Sequence, residues 1–249
     1  MKKHIPNLSI KDWRKIAGII LLITLVLSII YSIVQIIISP SALSDADSYK
    51  KIKSDYVLML FQCILGVVVM AVPTIVEKKW SIGIPNYMYI LYFVFLFCAI
   101  YLGEVREFYY LVPQWDNILH AFSGAMLGAL GFTLVSILND AERVKIQLSP
   151  FFVALFAFCF ALAAGAVWEI YEYTFDGLLS VNMQKYALEN GTQLVGRAAL
   201  ADTMTDLIVD ASSSLIISVL GFFSIRKNNG HTEQSKEIKE LEQKFLKLH

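Results

Sequence analysis

Seven residues in three short stretches have the types and spacing to hold a cation or to move a proton. Asp116 and His120 stand four apart, Glu169 and Glu172 three apart, and Asp202, Asp206 and Asp210 form a series of fours. On an α-helix each spacing keeps its side chains on one face, about a turn apart. Carboxylate oxygen with one imidazole suits Zn, Mn, Fe or Mg, and the lack of a thiolate at this level argues against copper or an iron-sulfur cluster. The three cysteines, Cys63, Cys98 and Cys159, are dispersed in apolar runs without CxxC spacing and read as packing residues.

The elements that must position these groups are membrane spans. The 249 residues are 57% hydrophobic and 17% charged, with a mean hydropathy of +0.59, far more apolar than a soluble domain requires. Runs long enough to cross about 30 Å of hydrocarbon fall at roughly 16–39, 56–76, 86–103, 116–138, 150–173 and 206–225. Backbone groups in lipid must be satisfied within their own segment, so these runs are expected to be helices and the fold an all-α bundle of six. The first run is about twice the length of a signal-peptide core and reads as a retained span. Zero formal net charge and a pI near 6.9 provide no field for nucleic acid, which is excluded as a partner.

Lysine and arginine orient the bundle. Fifteen lie at the N-terminus, in the turns near Lys78 and Arg143 and in the C-terminal tail, against six in the opposite loops. The positive-inside rule then puts both termini in the cytoplasm, with Trp13 and Trp80 at the inner interface and Trp115 and Trp168 at the outer. The expected organisation is a transmembrane domain over residues 1–226 and a charged cytoplasmic tail over 227–249. In that tail Ile238, Leu241 and Phe245 recur at helical spacing, as on a membrane-surface helix. Thirteen of the twenty-one acids fall at or beyond the outer boundary. The connection from Asp176 to Ala201 is the one long external loop, as fit to be a plain surface loop as a lid.

Depth can be counted along the chain. His120 lies 19 residues from Asn139, Glu169 19 from Pro150, and Asp206 20 from Arg226, so all three stand about 28 to 30 Å above the cytoplasmic side. Asp210 is a turn deeper, and Asp116 and Glu172 lie nearer the water. Below them run small residues: Gly124 and Gly128, then Gly165, Ala161 and Ala157, then Ser214 and Ser218. Such stripes let helices approach closely. Crowded carboxylates at membrane depth repel one another, and a divalent cation would resolve that conflict.

The stretches WDNILHAFSGAMLGALGF (115–132), WEIYEY (168–173) and DTMTDL (202–207) resemble the signatures D-x-x-x-H, E-x-x-E and D-T-x-x-D of the YjdF-like family of bacterial inner-membrane proteins. The resemblance covers roughly the last three spans. It implies a location in the bacterial cytoplasmic membrane and marks Asp116, His120, Glu169, Glu172, Asp202, Thr203 and Asp206 as the family's polar positions. Asp210 goes beyond that pattern, and the external loop is longer here. The resemblance implies no activity.

Three functions are compatible with these residues. The first is a metal-dependent membrane hydrolase acting on a lipid or lipid-linked substrate from the outer leaflet. In it His120, Glu169 and Asp206 are ligands, and Asp202 is counted with them among the metal-binding residues. Asp210 is a fourth ligand or an orienting group, Asp116 fixes the imidazole tautomer, and Glu172 is the base. The second is a cation- or proton-coupled transporter, for which only Ser214, Ser218, Thr133 and Ser136 continue below Asp210. The third is a scaffold subunit whose acids are a solvated rim, with Asp116 and Asp202 as helix N-terminal acids and Arg106 or Arg197 as partners.

Overall fold

The computed structural model describes residues 9–41, 51–80, 83–140, 148–179, 182–188 and 192–246, with the side chains of Trp80, 136–140 and 228–246 left aside. Expectations resting on Asp45, Asp47, Arg143, Glu189, Asn190, Gly191, the first lysines, Ser136 or the tail's apolar side chains lie outside the described residues. The elements are α1 (Ile10–Ile38), α2 (Lys53–Met70), α3 (Val72–Trp80), α4 (Asn86–Leu96), α5 (Phe108–Leu111), α6 (Trp115–Asp140), α7 (Pro150–Leu179) and α8 (Ala201–Leu246). A π-helical stretch, Phe97–Val105, extends α4, and a 3-10 turn, Gly196–Leu200, precedes α8. Among the described residues there is no strand, only one isolated bridge between Ala187 and Gln193.

Six stretches of the described residues are long and apolar enough to cross a membrane: Ile10–Ile38, Lys53–Lys79, Asn86–Val105, Trp115–Val135, Pro150–Leu179 and Gly196–Lys227. No span buries more than 33% of its apolar window within the protein. Leucines, isoleucines and valines such as Leu27, Ile37, Val68, Ile170 and Ile216 therefore face outward, as they must where lipid is the solvent. Two compact units, Met1–Leu119 and His120–His249, divide within α6.

In the first unit α1 packs on α2 and α4 through Leu21, Leu25, Met59, Cys63, Tyr89, Phe93 and Leu96. Ser9 and Asp12 close a capping box that starts α1. The second span is interrupted at Ala71, two residues before Pro73, which has no N–H to offer the turn below it. Arg14 lies 3.3 Å over the Tyr89 ring, and the Tyr89 hydroxyl donates to Glu77 at 2.6 Å. At the other end Gln62 donates to Glu104 at 2.9 Å, and Lys51 pairs with Glu107 at 3.0 Å. Glu107 follows the π-helical stretch with φ 63°, a left-handed conformation that turns the chain before α5.

The second unit is held by close helix contact. A β-carbon added at Gly131 of α6 would stand 2.7 Å from the Cα of Ala157 on α7, nearer than carbon atoms approach without displacement. Because that neighbour is backbone, no side-chain rotation relieves the clash, and Gly131→Ala is expected to cost about 1 to 3 kcal/mol. Thermal unfolding in detergent measures this; an unchanged midpoint would mean the two helices do not meet there. Gly128 similarly faces Ile217 and Ser214, and Gly221 of α8 faces the Phe132 ring. Between lipid-exposed helices such van der Waals contact does the work that water exclusion does in soluble proteins.

Candidate metal centre

Two helical stripes end in acids. On α7 the buried positions run Ala157, Ala161, Gly165, Glu169, Glu172 and Asp176. On α8 Asp206, Asp210, Ser214 and Ser218 are buried, four apart throughout, so the face that carries the acids is the face that packs. His120 of α6 lies between these stripes. Its Nε2 is 3.8 Å from Oε1 of Glu169 and 4.0 Å from Oδ2 of Asp206, and its Nδ1 is 3.2 Å from Oδ2 of Asp210. Only 5% of His120 and of Glu169 is exposed, and 1% of Asp206 and of Asp210.

Nδ1 is within hydrogen-bond distance of Asp210, at 3.2 Å, and Nε2 is turned toward two carboxylate oxygens. The gaps of 3.8 and 4.0 Å at Nε2 are longer than N–H donation to oxygen, which closes at about 2.7 to 3.2 Å. Donors bound at about 2.1 Å to one ion stand roughly 3.0 to 3.4 Å apart, closer than Nε2 lies to either oxygen here.

Asp210 is seated by two glycines. A β-carbon on Gly165 would run into the Asp210 carboxylate, 2.9 Å from its Cγ, and one on Gly124 would come 3.0 Å from the Asp210 carbonyl oxygen and 3.1 Å from its Cα. The Ser214 hydroxyl donates to that carbonyl at 2.7 Å. Gly165 is therefore small because the carboxylate orienting the imidazole fills the place of its side chain.

The other expected residues are placed as follows. Asp116 is on the first turn of the helix that carries His120, and one ligand atom from each of Asp116, His120 and Asp206 lies within 4.8 Å of the others. The sequence points to Asp116 as the tautomer-fixing carboxylate and to Asp210 as a fourth ligand or an orienting group; Oδ2 of Asp210 lies 3.2 Å from Nδ1. Glu172 is 5% exposed, with Oε1 accepting from the Trp168 indole at 3.0 Å. Asp202, on the first turn of α8, meets the ammonium of Lys185 at 2.8 Å. Asp176 accepts the backbone N–H groups of Met183 at 2.7 Å and Gln184 at 2.9 Å. Lys185, Gln184 and the loop-holding role of Asp176 were not legible in sequence, since no periodicity marks which loop residue folds back onto a helix end.

A family model described as "Predicted membrane protein (DUF2238)" matches residues 16–227. The chain belongs to this family. The match contains Asp116, His120, Glu169, Glu172, Asp202, Asp206 and Asp210. An uncharacterized protein of Thermotoga maritima is 30% identical over 139 residues, which cover 55% of this chain and 63% of that protein. The alignment thus takes in less than two thirds of the relative's length. No solved structure matches. Membership of the DUF2238 family agrees with six apolar spans and carries no activity with it.

Proposed function

We propose that this DUF2238 protein binds a divalent cation, Zn, Mn, Fe or Mg, between His120, Glu169 and Asp206, and is a membrane hydrolase acting on a lipid or lipid-linked substrate. The observation that supports it is Nε2 of His120 lying 3.8 and 4.0 Å from Glu169 and Asp206, with Asp210 3.2 Å from Nδ1. One imidazole and two carboxylates, all almost wholly buried, meet there in a setting of low dielectric, where a cation would compensate the acidic charge.

Asp116 supplies a further oxygen from the same helix as His120, and Asp202 lies one turn from Asp206 toward the loop. Asp210 holds the ring in the tautomer that frees Nε2. Glu172, one oxygen anchored by Trp168, is the general base that takes a proton from water. A bound cation would supply Lewis acidity at the ester or amide and lower the pKa of that water. The distribution of basic residues supports cytoplasmic termini in a bacterial cell membrane, which would open the centre toward the outer leaflet. Transport is the weaker reading, because Gly131 and Ala157 close α6 on α7 and the buried residues of α8 below Asp210 are Ser214 and Ser218.

Metal analysis of protein purified in mild detergent tests the reading. About one equivalent of divalent ion per chain is expected, and chelation should lower the thermal midpoint by about 5 to 10 °C. A wild-type protein that carries no ion, takes up none and does not respond to chelation overturns it.

A further inference from the structure

Between α7 and α8 the described residues, 182–188 and 192–200, fold back on one another as a cap. Leu188 N–H donates to the Thr192 carbonyl and Leu194 N–H to that of Tyr186, both at 2.9 Å. Asn182 spans the turn, accepting from the Ala187 N–H at 3.0 Å and donating to its carbonyl at 2.7 Å. The cap is tied to both acidic helices. Asp176 of α7 receives the N–H groups of Met183 and Gln184. On α8 the Gln184 amide donates to Thr203 at 2.9 Å and Lys185 pairs with Asp202 at 2.8 Å.

Lys185 has φ 47°, a left-handed conformation that a β-carbon disfavours and that persists only where its surroundings over-determine it. Here the two amide bonds to Asp176 precede it and the ammonium is drawn onto Asp202. Asp202 is one turn, about 6 Å, from Asp206 along α8. A fixed positive charge is thereby set at the head of a run of carboxylates that leads to His120, while His120, Glu169 and Asp206 are almost wholly buried.

Resting on the metal reading above, we infer that Lys185 is a tethered counter-cation that latches this cap over the acidic run and is displaced from Asp202 when a divalent cation enters. The regulation follows from charge. The entering ion and the ammonium compete for one carboxylate, and the ion carries twice the charge.

Stopped-flow uptake of Mn2+ or Zn2+ by the purified full chain, with hydrogen exchange of the peptide around 182–188, tests it. Lys185→Gln should bind the ion roughly fivefold faster than wild type, the ratio set by a partly exposed ion pair. Lys185→Arg should keep the wild-type rate. In the wild type, metal should speed exchange at the Met183 and Gln184 amides, and in Lys185→Gln that exchange should be fast without metal. Uptake at one rate in all variants, with loop exchange indifferent to metal, overturns the latch and leaves the metal centre standing. A wild type that binds no metal overturns both, and the two failures are told apart by the wild-type titration alone.

Discussion

Asp206→Asn is expected to lower the affinity for a divalent cation by about a thousandfold, equivalent to about 4 kcal/mol, while raising the thermal midpoint of the metal-free protein. Both signs follow from the same geometry. Asp206 is 1% exposed and its Oδ2 lies 4.0 Å from Nε2 of His120, beside Glu169 at 3.8 Å. With an ion present its charge is compensated; with the ion removed, that charge adds to the repulsion among buried carboxylates. Asparagine keeps the shape, loses the charge, and so weakens the bound state and relieves the empty one. Isothermal titration and thermal unfolding with and without chelator read the two effects. A variant less stable than wild type in chelator would mean that Asp206 is held by structural partners and not by a cation.

Gly165→Ala should weaken metal binding about 10- to 100-fold without touching a proposed ligand. The added methyl would take space that the Asp210 carboxylate occupies, 2.9 Å from its Cγ, and the carboxylate would have to swing away from Nδ1 of His120. The imidazole would then lose the group that fixes its tautomer, and Nε2 would no longer be held as an acceptor. Overpacking adds about 1 to 3 kcal/mol of destabilisation. Gly177→Ala provides the comparison on the same helix, because a β-carbon there meets nothing within 4 Å. It should be neutral or slightly stabilising, since alanine is favoured over glycine in a helix by about 1 kcal/mol. Equal metal affinities for the two variants would show that Asp210 does not act through the imidazole.

Taken alone, the sequence determined the helices and the faces on which their polar groups lie. Hydrocarbon admits no unpaired backbone, so an apolar run of sufficient length has one outcome, and a rise of about 1.5 Å per residue places His120, Glu169 and Asp206 at one level by counting. The fourfold spacing of Asp206, Asp210, Ser214 and Ser218 likewise put them on one face, and that face is the buried one. Even the edges of spans held less information: Pro73 divides α2 from α3 within what the apolar run presents as continuous.

Tertiary structure decided everything that depends on rotation of one helix against another. Asp116 is one turn from His120 on its own helix, yet the group at Nδ1 is Asp210, ninety residues away, because Gly124 and Gly165 let α8 come close enough to put it there. Spacing fixes the angle of a side chain around its own axis; which neighbour that angle meets is set by contacts among many side chains at once. The Lys185 to Asp202 pair is further still from sequence, since a left-handed residue in a loop is held by closure of the whole segment and leaves no periodic trace.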